Sequence, residues 1–210
     1  MVNKYTMPEH KNEHQAKTII NRFKQKSISL PRITDDKRMR GYPGLAGTAR
    51  KIAKYVPKNI DWYIEPFAGT AKVYQELQFK PNFVLLNDKS KFVFDWLKRD
   101  FHNINIWDLD FKQCIYKFLD NQKAFFLIDQ PWHKELYFQN FSCFDRKDVK
   151  TYDEEILELC RHMKGRFIIA SDRKNKRMLE SGFNNKLIEG DYMVAGGLTK
   201  TLITSNMELE

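Results

Sequence analysis

The sequence predicts an α/β fold, doubly wound around a mostly parallel seven-stranded sheet that ends in a C-terminal antiparallel hairpin. Three observations carry this. Short apolar runs bounded by turn residues, such as Phe83-Val84-Leu85-Leu86 and Ala124-Phe125-Phe126-Leu127-Ile128, read as strands buried on both faces. Each is followed by a stretch with helical spacing, and strand–helix alternation produces parallel crossovers. The last two strand-like segments flank Ala195-Gly196-Gly197 and read as a hairpin.

In chain order, residues 1–40 are a basic arm. They hold ten Lys or Arg against four Asp or Glu. Only 16–26, with Ile19, Ile20 and Phe23 on one side, has helical spacing. Residues 41–210 form the domain. A turn-rich loop, 40–48, leads to Thr48, expected to cap a helix over 49–55 that stops before Pro57. A first strand, 62–64, runs into Glu65-Pro66-Phe67-Ala68-Gly69-Thr70, a tight turn opening a helix over 70–77. Strand 83–86 ends in Asn87-Asp88, and Ser90 is expected to cap a helix reaching residue 100. Strand 104–106 precedes Trp107-Asp108-Leu109-Asp110-Phe111 and a helix over 112–119. Strand 124–128 runs into Asp129-Gln130-Pro131-Trp132. Residues 133–150 read as a long loop carrying Phe138, Phe141 and Phe144, and Thr151 or Asp153 is expected to cap a helix to His162. Strand 166–170, a short helix to 180, and strands 186–193 and 198–204 complete the chain.

At 42% hydrophobic and 14% aromatic, the 210 residues suffice for a substantial core. The net charge of +9 points to an anionic partner, nucleic acid first. No apolar run is long enough to span a bilayer and the polar start has no signal-peptide core, so an intracellular, cytoplasmic protein without a membrane anchor is expected. Cys114, Cys143 and Cys160 are widely spaced and odd in number. They give neither a disulfide framework nor a zinc pattern, and no metal site is expected.

Four strands end in acid: Glu65, Asp88, Asp108 or Asp110, and Asp129. In a parallel sheet these ends share one edge, where ligands of such folds bind. Carboxylates there accept from a ribose, an amine or an amino-bearing ring and repel phosphate. The turn after the first strand lacks the Lys and Ser/Thr of a P-loop and the three-glycine dinucleotide pattern. Ala68, Gly69 and Ala71 leave room for backbone N–H groups to face a ligand. A sugar-bearing ligand with a cationic tail fits this set, and S-adenosylmethionine has that composition. At Asp129-Gln130-Pro131-Trp132, the carboxylate and the Gln130 carbonyl can both accept from one –NH₂. This frees the nitrogen lone pair for attack, while Trp132 offers a face for stacking.

The ordered set Tyr42-Pro43-Gly44, Glu65 to Thr70, Leu86-Asn87-Asp88, Asp110-Phe111, Asp129 to Trp132 and Leu202 to Asn206 resembles the Dam-type DNA adenine methyltransferases. The resemblance implies the class I S-adenosylmethionine methyltransferase fold and methyl transfer to the exocyclic amino group of adenine in DNA. It places Glu65, Phe67, Ala68, Gly69 and Thr70 at the methionine end of the cofactor and Asp88 at the ribose. Asp110 and Phe111 fall at the cofactor adenine, and Tyr42, Pro43 and Gly44 close over the methionine. Asp129, Gln130, Pro131 and Trp132 hold a base swung out of the duplex.

This sequence departs from that pattern in three places. Gln130 stands where the family has a first proline. Leu45 and Ala46 replace a Lys, leaving only Arg50 or Lys51 to serve. Only 112–123 separate Asp110-Phe111 from the catalytic turn, where the family carries a target-recognition region. Sequence reading then falls to the arm, the 138–150 loop, the Gly196-Gly197 hairpin, a homodimer or a partner protein. Cytosine in DNA, adenine in RNA, or nucleic-acid binding without turnover are the competing readings.

Overall fold

The computed structural model describes residues 47–131, 146–194 and 197–210. The basic arm, Tyr42, Pro43, Gly44 and Trp132 lie outside the described residues. So do Cys143, most of the 133–150 segment and Gly196. Seven strands form one sheet: β1 (Trp62–Glu65), β2 (Phe83–Asn87), β3 (Asn105–Trp107), β4 (Ala124–Asp129), β5 (Arg166–Asp172), β6 (Asn184–Val194) and β7 (Gly197–Ser205). Their order is β3-β2-β1-β4-β5-β7-β6. The first five are mutually parallel, and β7 runs antiparallel to both β5 and β6. This is the doubly wound sheet with a terminal hairpin that the sequence predicts. The direction of winding reverses between β1 and β4, so the crevice at their carboxyl ends is the topological switch point.

Among the described residues the helices are α1 (Ala49–Ala53), α2 (Lys72–Gln75), α3 (Lys91–Asp100), α4 (Phe111–Tyr116), α5 (Arg146–His162) and α6 (Lys176–Leu179). Alternation along each strand divides the core into two layers. Tyr63, Leu86, Phe125, Leu127 and Ile168 face α1, α2 and α3. Ile64, Leu85, Phe126, Ile128 and Ile169 face α4, α5 and α6. Most of these side chains are inaccessible, each worth about 1.5–3 kcal/mol of burial. The entry to β5 is fixed by Gly165, where a Cβ would stand 2.6 Å from the Ala124 carbonyl oxygen.

Several expected boundaries and caps differ. The first two helices are shorter than 49–55 and 70–77. The helix to His162 begins at Arg146, not at Thr151 or Asp153, so the last residues of the expected loop are helical. Thr48 and Ser90 sit at N-cap positions without capping through their side chains. The Thr48 hydroxyl instead meets Thr201 Oγ1 at 3.2 Å, joining α1 to β7. Long-range packing thus competes for the Thr48 hydroxyl, and local sequence does not register that competition.

Candidate active site at the carboxyl ends of β1 and β4

Residues two apart on a strand share a face, so Glu65 lies on the Tyr63 face of β1, and Asp129 on the Leu127 face of β4. Tyr63 pairs with Phe125 in register, and both belong to the same core layer. Glu65 and Asp129 therefore share one sheet edge and one face. The Asp129 charge reaches both Glu65 and Tyr63.

Glu65 is only 3% exposed. Burial is the main reason its carboxyl is pushed up to about 8; hydrogen bonds from Tyr63 and Tyr74 pull the other way, and Asp129 adds to the rise. Glu65 Oε1 accepts from Tyr63 Oη at 2.5 Å and from Tyr74 N at 3.2 Å. The second bond satisfies an orphan donor in the first turn of α2, whose N-cap residue, Ala71, makes no side-chain cap. The last residue of β1 thus caps the following helix. Gly69 (φ 48°) and Ala71 (φ 49°) both occupy the left-handed region. Glycine does so freely; alanine incurs about 1–2 kcal/mol. Such local strain clusters at ligand-binding turns.

The turn is lashed to the tip of β2. Ala68 N donates to the Asn87 carbonyl at 2.8 Å, and Gly69 N to Asp88 Oδ2 at 2.9 Å. This corrects the expectation for those two backbone donors: both are engaged by the protein. Asp88 Oδ1 accepts from Ser90 N at 2.9 Å. Burial pushes the Asp88 carboxyl up to about 6 against these two bonds. A carboxylate oxygen accepts more than one bond, so Asp88 retains capacity for a hydroxyl donor. Asn87, fully buried, donates to the Pro66 carbonyl at 2.9 Å and the Leu109 carbonyl at 3.0 Å, and accepts from Leu109 N. One amide at the end of β2 therefore ties together the loops after β1 and β3.

Asp110 and Phe111 stand where β3 leads into α4, but with structural partners. Asp110 caps α4 by accepting from Lys112 N at 3.0 Å and pairs with Lys89 at 3.4 Å. Phe111 is 3% exposed; it stacks on Phe67 at 4.9 Å and meets Tyr152 edge-on at 5.1 Å. Phe67 is the more accessible ring of the pair. Thr70 is buried, and its carbonyl accepts from Gln75.

Asp129 is half-buried at the end of β4. Gln130, 4% exposed, turns to the opposite face. There its amide donates to Asp153, which Asn175 also holds through two 3.2 Å bonds. Pro131 is half-buried beside it. The residues proposed to replace the missing Lys have partners elsewhere: Arg50 pairs with Glu76, and Lys51 donates to the Glu189 carbonyl. Between β3 and β4 runs α4 alone, with no inserted region. No group of side chains able to hold a metal ion occurs among the described residues, nor any helix long and apolar enough to cross a membrane.

Sequence reasoning assigned no site role to Tyr63, Asn87, Asp153, Tyr152 or Asn175. Asn87 alone had a signal, its place directly before the strand-end Asp88. The others are brought in by packing across the sheet.

The chain matches no family profile and no curated protein. Its fold is similar to several solved structures. Precorrin 8W decarboxylase of Methanobacterium thermoautotrophicum superimposes with TM-score 0.51 at 15% identity, covering 78% of this chain and 92% of that one. The methyltransferase domain of METTL16, in its delta-N form, gives 0.51 at 10% identity over 79% and 84%. Another structure of that domain gives 0.50 at 12% identity over 87% and 74%. The likeness is one of fold, a Rossmann-like α/β architecture shared with methyltransferases.

Proposed function

We propose that this chain is an S-adenosylmethionine-dependent methyltransferase acting on the exocyclic amino group of adenine in DNA. The observation that carries the proposal is the shared edge and face of Glu65 and Asp129 at the switch point between β1 and β4. Fold alone does not fix chemistry; a protein named as a decarboxylase shares this one. The residues have to supply the rest.

They fit the cofactor in composition. Asp88 at the β2 tip keeps acceptor capacity for ribose hydroxyls. Asp129 gives the crevice a negative character suited to a sulfonium and an ammonium group, and Glu65 adds to it when a bound cation draws off its proton. The small residues Ala68, Gly69 and Ala71 leave the turn uncrowded, and Phe67 offers an aromatic face. When bound, S-adenosylmethionine supplies an electrophilic methyl group. The chain's own part is alignment. The Asp129 carboxylate and the Gln130 backbone carbonyl accept the two N–H protons of the target amine. This localises the nitrogen lone pair and points it into the crevice. No strong base is needed to start the displacement, because the leaving group departs as a neutral thioether. The proton then released from nitrogen passes to the Asp129 carboxylate, the more basic of the two acceptors. Gln130 replaces a rigid proline, yet its side chain is fixed by Asp153, so the turn is braced by hydrogen bonds in place of a ring.

Incubation with labelled cofactor and mixed-sequence DNA tests this. Asp129→Ala is expected to reduce transfer by about 10²–10³-fold while cofactor binding by calorimetry persists. Undiminished transfer in that variant ends the assignment. Digestion of the product to nucleosides identifies the base: methylated adenine from DNA is expected, and cytosine or RNA product would redirect it.

A further inference from the structure

A cavity of about 360 Å³ opens between the ends of β4 and β5 and the helices α5 and α6. Gln130, Pro131, Asp153, Ser171, Lys174 and Asn175 line it. Two buried polar atoms there, Gln130 Oε1 and Ser171 Oγ, have no hydrogen-bond partner among the described residues. The residues that carry them are 4% and 1% exposed. Buried polar groups without partners are rare, and each calls for a reason. The orientation of the amide is fixed. Asp153 accepts from Gln130 Nε2, and a carboxylate would repel the carbonyl end, so Oε1 is turned away from it. Asp153 is itself held by Asn175. In the wall of the pocket, closed off from solvent in this structure, lie a preset acceptor and, from Ser171, a hydroxyl that can donate.

We infer that this cavity receives a nucleobase flanking the target nucleotide. The inference rests on the proposed nucleic-acid substrate and adds a second, base-reading subsite to it. An N–H beside a ring nitrogen or carbonyl, present on the edge of every nucleobase, complements Gln130 Oε1 and the Ser171 hydroxyl together. The volume falls within the range of small-ligand pockets. Gln130 and Pro131 belong to the same turn as Asp129, so the cavity lies across the sheet edge from the amine-holding carboxylate. Exposed Lys174 and Lys176 flank the opening and suit the phosphates on either side of the base. The core domain thereby gains a hold on the nucleic acid beside the target nucleotide, where no recognition region is inserted between β3 and β4.

The test is single-turnover methyl transfer from labelled cofactor to oligonucleotides with one target adenine and either a base or an abasic residue at each flanking position. Wild type is expected to lose roughly tenfold when one particular flanking base is removed. Ser171→Ala, which deletes an atom without a partner, is expected to erase most of that difference. Ser171→Val, which fills the cavity, is expected to do the same. Equal wild-type rates with and without every flanking base overturn the subsite while leaving the methyltransferase reading intact. So does a penalty that persists undiminished in both variants. Cofactor binding without transfer to any oligonucleotide overturns the substrate reading and this inference with it.

Discussion

Glu65 shows how one carboxyl can serve both fold and site. It closes β1, caps α2 through Tyr74 N, and takes the Tyr63 hydroxyl. Its raised pKa, about 8 and due first to burial, means that the free protein holds it neutral at pH 7. The unfolded chain ionises it near the ordinary value of about 4.3. Between these values the folded state binds more protons than the unfolded one. Stability conferred by the proton is therefore fully present below the unfolded pKa and is lost as pH rises through about 8, with a limiting slope of about 1.4 kcal/mol per pH unit for one proton. A cationic ligand in the crevice favours the ionised form. S-adenosylmethionine affinity is accordingly expected to strengthen from pH 6 to 8, by up to about tenfold per unit, with proton release on binding. Calorimetry in buffers of different ionisation enthalpy measures both, and a pH-independent affinity would count against a cation beside Glu65. The Asp88 carboxyl, raised to about 6, adds to the same trend at the lower end of that range.

At the level of elements, the site is assembled by loops that other loops hold. Asn87 joins the ends of β1, β2 and β3 with three side-chain hydrogen bonds and no exposure to water. Asn87→Ala leaves two carbonyls and one N–H without that partner. It is expected to cost about 2–4 kcal/mol in denaturant unfolding and to weaken cofactor binding through the loosened 65–70 turn. A loss below about 1 kcal/mol would show that water or backbone shifts replace the clamp. Gln130, Asp153 and Asn175 do the corresponding work between β4, α5 and α6. In both cases a polar side chain at a strand end is turned back into the protein beside an acid, Asp88 or Asp129.

For the molecule as a whole, charge and shape divide the labour. Six of the nine excess positive charges fall within residues 1–40, while the strand-end edge of the domain is acidic. On the proposed nucleic-acid function, the arm supplies affinity without sequence information and the crevice supplies chemistry. Removal of residues 1–40 is expected to flatten the plot of log affinity against log salt by up to about five, at roughly 0.9 for each phosphate the arm neutralises. Fluorescence anisotropy on duplex DNA between 50 and 200 mM salt reads this, a range over which counterion release changes affinity steeply. An unchanged slope assigns phosphate binding to the domain itself.

The amino-acid sequence by itself determined the strands, their parallel winding, the hairpin, and the acid at each carboxyl end, because apolar runs and turn residues act over a few positions. It also brought Glu65 and Asp129 to one edge, since parallel strands must place their ends together. Only the tertiary structure decided what each polar side chain does there. It turned Gln130 away from Asp129, gave Asp110 to the start of α4, closed the Ala68 and Gly69 donors on Asn87 and Asp88, and drew Phe111 beneath Phe67. A strand-end polar residue looks the same locally whether it meets a ligand, a helix end or a neighbouring loop. Which partner it takes is set by packing among segments some 20 or more residues apart, such as Asn87 with Leu109 and Gln130 with Asp153.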